Sequence, residues 1–238
     1  MREPGTLYLI PTPLGEDSLA GISEALIQTT YGLDYFIVER GKTARQFLKR
    51  IRFPRPLQEL EFQELNEHTP ATALEGLLAP ILAGRSAGLM SEAGCPGVAD
   101  PGSSLVFLAH RHGIAVMPLV GPSSILLALM ASGMNGQQFR FHGYLPAKKP
   151  DLIRQIKRLE QISAQDKSTQ IFIETPYRNV GMLEALVQVL SPSTLLSVAA
   201  DLTLPTQFVR TLPVTQWKVL KELPDLQRRP AVFLLQSP

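Results

Sequence analysis

The chain is predicted to be organised around one stretch, Ser91-Glu92-Ala93-Gly94-Cys95-Pro96-Gly97-Val98-Ala99-Asp100-Pro101-Gly102. It follows the apolar run 87–90, which is typical of a buried strand, and precedes residues 103–112, whose apolar side chains recur at helical spacing. Its three glycines and two prolines are costly in any regular element, so the stretch is predicted to be a loop. Open α/β sheets bind ligands beyond the carboxyl ends of their strands. The pattern indicates either a ligand-binding loop or a structural turn.

Strands and helices alternate on both sides of this loop in the first half of the chain. The strand-like segments are 6–10, 35–39, 59–65, 87–90 and 114–119. The helix-like segments are 19–33, 42–51, 72–82 and 103–112. Alternation of this kind predicts crossover connections and a largely parallel sheet.

The second half has shorter connections between its strands. Strands are predicted at 139–142, 170–174, 195–201, 207–212 and 231–235, and helices at 125–130, 151–162 and 180–190. Short connections favour a mixed sheet with antiparallel members. The chain of 238 residues is long enough for two domains of usual size. We therefore predict an α/β fold of two α/β domains, 1–119 and 120–238, the first mostly parallel and the second mixed.

The composition describes a globular protein that has ample apolar material for a core. Hydrophobic residues make up 45% of the chain and charged residues 18%, and the net charge of +2 gives no independent argument for a nucleic-acid partner. Cys95 is the one cysteine, so a reducing cytoplasm is expected. The uncharged segment between His112 and Arg140 is interrupted by Pro118, Gly121 and Pro122, so we expect no membrane span and no membrane partner.

The residues alone do not define a reaction. No metal cluster, nucleophile elbow, Walker loop or dinucleotide fingerprint is present, and we predict no metal site. The four histidines are scattered and are interpreted as structural or exposed. Glu174 and Asp201 end predicted strands and could face one cleft, although acids at strand ends are often only solvated. The basic face of segment 42–52 is more typical of a solvated helix than of a binding site.

Several segments, taken in order, resemble the tetrapyrrole methylase superfamily of class III S-adenosylmethionine-dependent methyltransferases. The ribosomal small-subunit methyltransferase I branch, which methylates a ribose 2′-hydroxyl of rRNA, is the most similar. The segments that carry this resemblance are 7–15 (LYLIPTPLG), 65–68 (LNEH), 91–102, 118–123 (PLVGPS), 141–146 (FHGYLP) and 174–178 (ETPYR).

The resemblance implies a cofactor cleft between two α/β domains, S-adenosylmethionine as cofactor, and a homodimer. It also implies small-subunit rRNA or the ribosomal subunit as partner. The positions implied to bind the cofactor are Pro13, Ser91, Ala93, Gly94, Val98, Ala99, Ser123, Ser124, Phe141, Ala200 and Leu202. A ribose hydroxyl is a poor nucleophile, so an acid or base beside it is expected, and the candidates are Glu39, Glu92 and Glu174. Two alternatives to an rRNA methyltransferase stay open. One is a methyltransferase that acts on a tetrapyrrole or another small acceptor, and the other is a non-catalytic binding paralogue of the same fold.

The chain departs from the branch at three places. Where the branch has glutamate–aspartate–threonine–arginine, this chain has Glu39-Arg40-Gly41-Lys42, so a cation replaces the aspartate. The serine–aspartate of the glycine loop becomes Ser91-Glu92. The branch's arginine–glutamate–leucine–threonine–lysine becomes Ala200-Asp201-Leu202-Thr203-Leu204, without either cation. These changes leave the expected cofactor binding largely intact, but they put the identity of the methyl acceptor in question.

Overall fold

A computed structural model describes residues 3–15 and 18–238 of the protein. The chain divides into two compact units, Met1–Ser123 and Ser124–Pro238. The first unit ends four residues after the predicted end of the first domain at residue 119. Its last residue, Ser123, also ends the segment 118–123 that carries part of the family resemblance.

The first unit is a parallel sheet with helices between its strands. Its strands are β1 (Thr6–Ile10), β2 (Tyr35–Val38), β3 (Glu61–Glu64), β4 (Ala87–Met90) and β5 (Ala115–Pro118). Its helices are α1 (Glu24–Tyr31), α2 (Gly41–Arg50), α3 (Leu74–Leu82) and α4 (Gly102–Arg111). The strand order is β3-β2-β4-β1-β5 and every pairing is parallel, which confirms the predicted sheet.

Both faces of this sheet are buried, because alternate residues of its central strands enter two different hydrophobic clusters. Ile37 and Leu89 belong to one cluster, whereas Phe36 and Met90 belong to the other. Burial on both faces is the usual state of a parallel sheet, and it explains why β2 and β4 are apolar at every position rather than alternating.

The second unit contains the predicted mixed sheet. Its strands are β6 (Phe139–Tyr144), β7 (Thr169–Glu174), β8 (Leu195–Ala200), β9 (Phe208–Pro213) and β10 (Ala231–Gln236). Its helices are α5 (Ser124–Ser132), α6 (Lys149–Asp166), α7 (Asn179–Val189) and α8 (Val214–Lys218). The order is β6-β7-β10-β8-β9, with β6 parallel to β7 and the other neighbours antiparallel.

Two differences from the predicted helices have a clear local cause. α1 begins at Glu24 rather than at residue 19, because the Ser23 hydroxyl caps it by accepting a hydrogen bond from the Leu26 N–H at 3.2 Å. The short helix α8 was not predicted, because five residues are too few to show helical periodicity. Its Trp217 is buried and donates from Nε1 to the Leu196 carbonyl at 2.9 Å, which fixes the helix against β8. None of the described helices is both long enough and apolar enough to cross a membrane.

Candidate active site

The register of the first sheet brings three loops to one edge. Ile10 at the end of β1 and Val38 at the end of β2 both pair with Met90 at the end of β4. The carboxyl ends of these parallel strands therefore lie side by side, and the segments that follow them, 11–15, 39–41 and 91–102, leave the sheet together. This edge is where an open α/β sheet binds its ligand.

Two of these loops are bonded to each other through their backbones. The Thr12 N–H donates to the Gly94 carbonyl at 2.9 Å, and the Gly94 N–H donates to the Thr12 carbonyl at 3.0 Å. Two hydroxyls reinforce this bridge: Thr12 Oγ1 donates to the Ser91 carbonyl at 3.2 Å, and Ser91 Oγ donates to the Gly94 carbonyl at 3.1 Å. The loop after β4 is consequently held in a fixed bend against the turn after β1.

The bend requires glycine at Gly94, whose φ of +79° lies in the left-handed region. A Cβ at that position would stand 3.3 Å from Leu14 Cδ2. Further along, Asp100 Oδ1 accepts hydrogen bonds from the N–H groups of Gly97 and Gly102, at 3.3 and 2.7 Å. This aspartate closes the loop and leads into α4, so it has a local structural role.

Two of the three predicted catalytic acids lie together at this edge. The backbone N–H of Glu92 donates to Glu39 Oε2 at 3.3 Å. Burial raises the pKa of the Glu39 carboxyl above its ordinary value, and the nearby Glu92 carboxylate raises this pKa further, while the hydrogen bond from the Glu92 N–H lowers it. The Glu39 carboxyl therefore keeps its proton to a higher pH than an isolated surface carboxyl group would.

The cation that replaces the family's aspartate contacts Glu92. Arg40 Nε lies 3.6 Å from Glu92 Oε1, and Thr43 Oγ1 donates to the same oxygen at 3.2 Å. The Arg40 side chain is 72% exposed and that of Glu92 is 33% exposed, so the ion pair adds little to stability. The arginine instead offsets charge where two carboxylates are close.

A cavity of about 250 Å³ opens beside this bend. The β1 turn, the start of the β4 loop and one side of α2 form its walls. Its lining residues are Thr12, Pro13, Leu14, Gly15, Thr43, Gln46, Phe47, Arg50, Ser91, Glu92 and Ala93. Of the positions predicted to bind cofactor, Pro13, Ser91 and Ala93 lie in this wall, whereas Val98 and Ala99 are exposed further along the loop. The α2 residues were not predicted.

In the second unit, the predicted positions Ala200 and Leu202 flank a buried ion pair. Asp201 Oδ2 receives hydrogen bonds from Arg229 Nε at 2.7 Å and from Thr206 Oγ1 at 2.8 Å. The two charged side chains are 9% and 24% exposed. This chain thus has a cation beside Asp201, but Arg229 supplies it from 28 residues later rather than from within the family's motif.

Beyond Leu202, one polar atom has no partner among the described residues. The side-chain hydroxyl of Thr203 is buried and makes no hydrogen bond there, and the residue has a φ of +74°. An unsatisfied buried hydroxyl is unfavourable unless a further group binds it. The segment that follows β8 therefore contains a buried hydroxyl whose hydrogen-bonding capacity is unused within the described residues.

The third predicted catalytic acid, Glu174, is almost fully buried at the end of β7. Its Oε1 accepts hydrogen bonds from the Thr175 N–H at 2.6 Å and from Arg178 at 3.0 and 2.6 Å. These contacts hold the turn that leads into α7. Phe141 is half-buried in β6 just before a register irregularity, and Ser123 and Ser124 lie at the start of α5.

The cysteine of the loop is not placed for nucleophilic chemistry. Cys95 Sγ donates to the Pro122 carbonyl at 3.4 Å, and burial raises the pKa of the thiol.

The histidines engage in local contacts: His142 Nε2 lies 2.7 Å from Gln170 Oε1, and His112 pairs with Glu75 at 2.9 Å.

No protein-family model matches the chain, but curated proteins and solved structures do. A ribosomal RNA small subunit methyltransferase I of Mesorhizobium japonicum is 35% identical, with 86% of this chain and 66% of that protein covered. The proteins of the same name from Escherichia coli O157:H7 and Xylella fastidiosa are 31% and 34% identical, with 88% and 85% of this chain and 70% of each relative covered. The chain thus spans about two thirds of the length of these relatives.

Two solved structures share the fold. The methyltransferase CobJ has a TM-score of 0.62 at 19% identity, with 98% of this chain and 100% of that chain covered. The uroporphyrin-III-C-methyltransferase from Thermus thermophilus has a TM-score of 0.53 at 19% identity, with 98% and 92% covered. The fold is therefore that of the tetrapyrrole methylases, and the protein is a methyltransferase of that superfamily. Within it, the chain belongs to the ribosomal RNA small subunit methyltransferase I family.

Proposed function

We propose that the protein transfers a methyl group from S-adenosylmethionine to a ribose 2′-hydroxyl of small-subunit rRNA. The observation that supports this most directly is the bend that joins Thr12 to Gly94 at the carboxyl edge of the first sheet. Such a bend lets a ligand approach the backbone closely, because glycine has no Cβ and the neighbouring N–H and carbonyl groups are held in place.

The residues present suit the cofactor. In the first unit, we propose that Pro13, Ser91, Ala93, Gly94, Val98, Ala99 and Ser123 contact it. In the second unit, we propose Ser124, Phe141, Ala200 and Leu202. The free hydroxyl of Thr203, next to Leu202, adds an unsatisfied donor and acceptor that an adenosine group would satisfy.

When bound, S-adenosylmethionine supplies an electrophilic methyl group. The chain's own residues have the remaining tasks, which are to hold the acceptor hydroxyl in line with that methyl group and to keep water out. The buried turn around Thr12 and Pro13 gives one rigid wall for this purpose. Rigid positioning matters because a small misplacement of reacting atoms slows a displacement strongly.

Glu92 is the carboxylate we propose to accept the proton of the acceptor hydroxyl. It lines the cavity, and Thr43 Oγ1 and Arg40 orient its Oε1. Glu39 supports it through the hydrogen bond from the Glu92 N–H and is the second candidate. Glu174 stays the third candidate, because its Oε1 already receives three hydrogen bonds from its own turn.

The name of the curated relatives suggests the acceptor, and a transfer assay tests it. Purified protein is incubated with S-adenosylmethionine that carries a labelled methyl group, together with naked small-subunit rRNA or assembled small subunits. We expect label in the RNA of at least one substrate, at a ribose that resists alkaline cleavage on its 3′ side. Absence of label from both RNA substrates, in a protein that binds the cofactor, would reject the ribosomal acceptor and favour a small one.

We also propose that the protein works as a homodimer in the cytoplasm, where it would meet ribosomal subunits. Support for self-association comes from β5, an edge strand of the first sheet. Met117 within it and Val120 after it are 50% and 84% exposed, so apolar surface adjoins an unpaired strand edge. Sedimentation equilibrium should give twice the chain mass of 26.2 kDa, and a monomer at every concentration would contradict this assembly.

A further inference from the structure

One face of α2 forms a wall of the cavity, and this wall was not predicted from the sequence. Thr43, Gln46, Phe47 and Arg50 line it. Their spacing of three, four and seven residues places them in a single stripe along the helix. Phe47 is buried, whereas the other three residues of the stripe have polar side chains.

The two ends of the stripe carry opposite charge. At the amino end, Thr43 contacts the Glu92 carboxylate. At the carboxyl end, Arg50 carries a guanidinium, and its backbone lies seven residues, about 10 Å, further along the helix axis. A sugar hydroxyl directed to the carboxylate and a phosphate directed to the guanidinium would match this polarity.

The Arg50 guanidinium has no partner among the described residues, in contrast to three neighbouring arginines. Arg40 pairs with Glu92, Arg45 lies 4.3 Å over the ring of Phe62, and Arg55 donates to the Leu33 carbonyl at 2.5 Å. Among residues 3–15 and 18–238, no carboxylate lies within ion-pair distance of Arg50. A guanidinium that lines a cavity and has no acidic partner in the described part of the chain favours an anionic ligand, and its planar fork suits phosphate.

We propose that the α2 wall of this cavity receives the acceptor nucleotide, while Pro13, Ser91 and Ala93 of its other walls contact the cofactor, and that Arg50 binds an RNA backbone phosphate near the ribose that Glu92 receives. This inference rests on the proposed function and adds a specificity-determining residue to it. Lys49 provides a matched comparison, because it is the adjacent exposed cation of the same helix end but does not line the cavity.

The test measures RNA binding separately from methyl transfer. Fluorescence anisotropy of a short, labelled single-stranded oligoribonucleotide is followed over a range of salt concentrations for the wild type, Arg50→Gln, Arg50→Lys and Lys49→Gln. We expect Arg50→Gln to weaken binding about fivefold or more and to reduce the salt slope by about 0.7, the value for one phosphate of a single strand. Lys49→Gln should change the affinity less than about twofold. Arg50→Lys should restore the slope but not the full affinity, since lysine lacks the bidentate fork.

Equal effects of Arg50→Gln and Lys49→Gln would overturn the inference, because they would show only diffuse attraction to a basic helix. Failure of the wild type to bind the oligoribonucleotide would overturn it too. The transfer assay distinguishes the two proposals. RNA binding through Arg50 without methylation of small-subunit RNA would contradict the proposed function and support the pocket. Methylation that is unaffected by Arg50→Gln would contradict the pocket alone.

Discussion

Thr12 and Gly94 exchange two backbone hydrogen bonds, of 2.9 and 3.0 Å, as an antiparallel bridge just beyond two strands that are themselves parallel. The chain must therefore reverse within the few residues after Met90. The positive φ of Gly94 permits this reversal, and the Ser91 hydroxyl fixes it by donating to the Gly94 carbonyl. The backbone at the sheet edge is set before any ligand binds, which is the condition for precise positioning.

Replacing Gly94 by valine should weaken S-adenosylmethionine binding at least about tenfold, which corresponds to about 1.4 kcal/mol. The new side chain would meet Leu14 at 3.3 Å and would disfavour the left-handed backbone. Isothermal titration calorimetry measures the affinity. Gly113→Val is the matched control, since Gly113 also has a positive φ, of +69°, but its Cβ would have no neighbour within 4 Å. Equal affinities for both variants would show that the bend does not contact the cofactor.

Replacing Glu92 by glutamine should lower the rate of methyl transfer by about a hundredfold or more while it leaves cofactor affinity nearly unchanged. The amide keeps the size of the side chain but cannot accept the acceptor's proton, and general-base catalysis contributes a factor of this order. Single-turnover transfer with labelled cofactor measures the effect. The exposed Glu59, changed to glutamine, serves as the control for a lost negative charge. A rate for Glu92→Gln close to that of the control would remove Glu92 from the mechanism.

The raised pKa of Glu39 predicts a specific pH dependence of stability. Its folded-state pKa lies above the unfolded value because of burial and of Glu92, so the folded state binds this proton more tightly. The associated stability is complete below the unfolded pKa and is lost as the pH rises through the folded pKa. Relative to wild type, Glu39→Gln should thus gain stability as the pH rises from acid toward neutrality. Urea unfolding at several pH values measures this difference, and a difference that is constant with pH would contradict the assignment.

Removing the Asp201 carboxylate should destabilise the second unit. Asp201→Ala leaves the largely buried Arg229 without its charge partner, and we expect the free energy of unfolding to fall by about 3 kcal/mol. Chemical denaturation followed by the fluorescence of Trp217, which is buried in the same unit, reports the loss. The double variant Asp201→Ala/Arg229→Met should recover part of it, because no unpaired charge remains. Additive losses in the double variant would show that the two residues do not depend on each other.

The sequence predicted the fold of each half well because its central strands are fully buried. Segments such as 87–90 are apolar at every position, which distinguishes strands covered on both faces from exposed ones. The same reasoning could not set the start of α1, which depends on the Ser23 cap, or detect α8, whose place depends on the contact of Trp217 with β8.

Only part of the candidate site could be predicted from the sequence. The glycine loop and its acids were found from spacing and from family resemblance, and the structure places Glu39 and Glu92 in contact. The wall formed by α2 was missed, because a basic helix face is usually solvated. Only the packing of α2 against the sheet shows that Arg50 lines a cavity while Lys49 does not. Likewise, no local pattern links Asp201 to Arg229.

Direct calorimetric titration of the wild-type protein with S-adenosylmethionine tests most simply whether this chain uses that cofactor. We predict saturable binding in the micromolar range with one site per chain, and displacement by the demethylated product, S-adenosylhomocysteine. A folded protein that gives no binding heat at two temperatures, and that is not stabilised against thermal unfolding by the cofactor, would contradict the account.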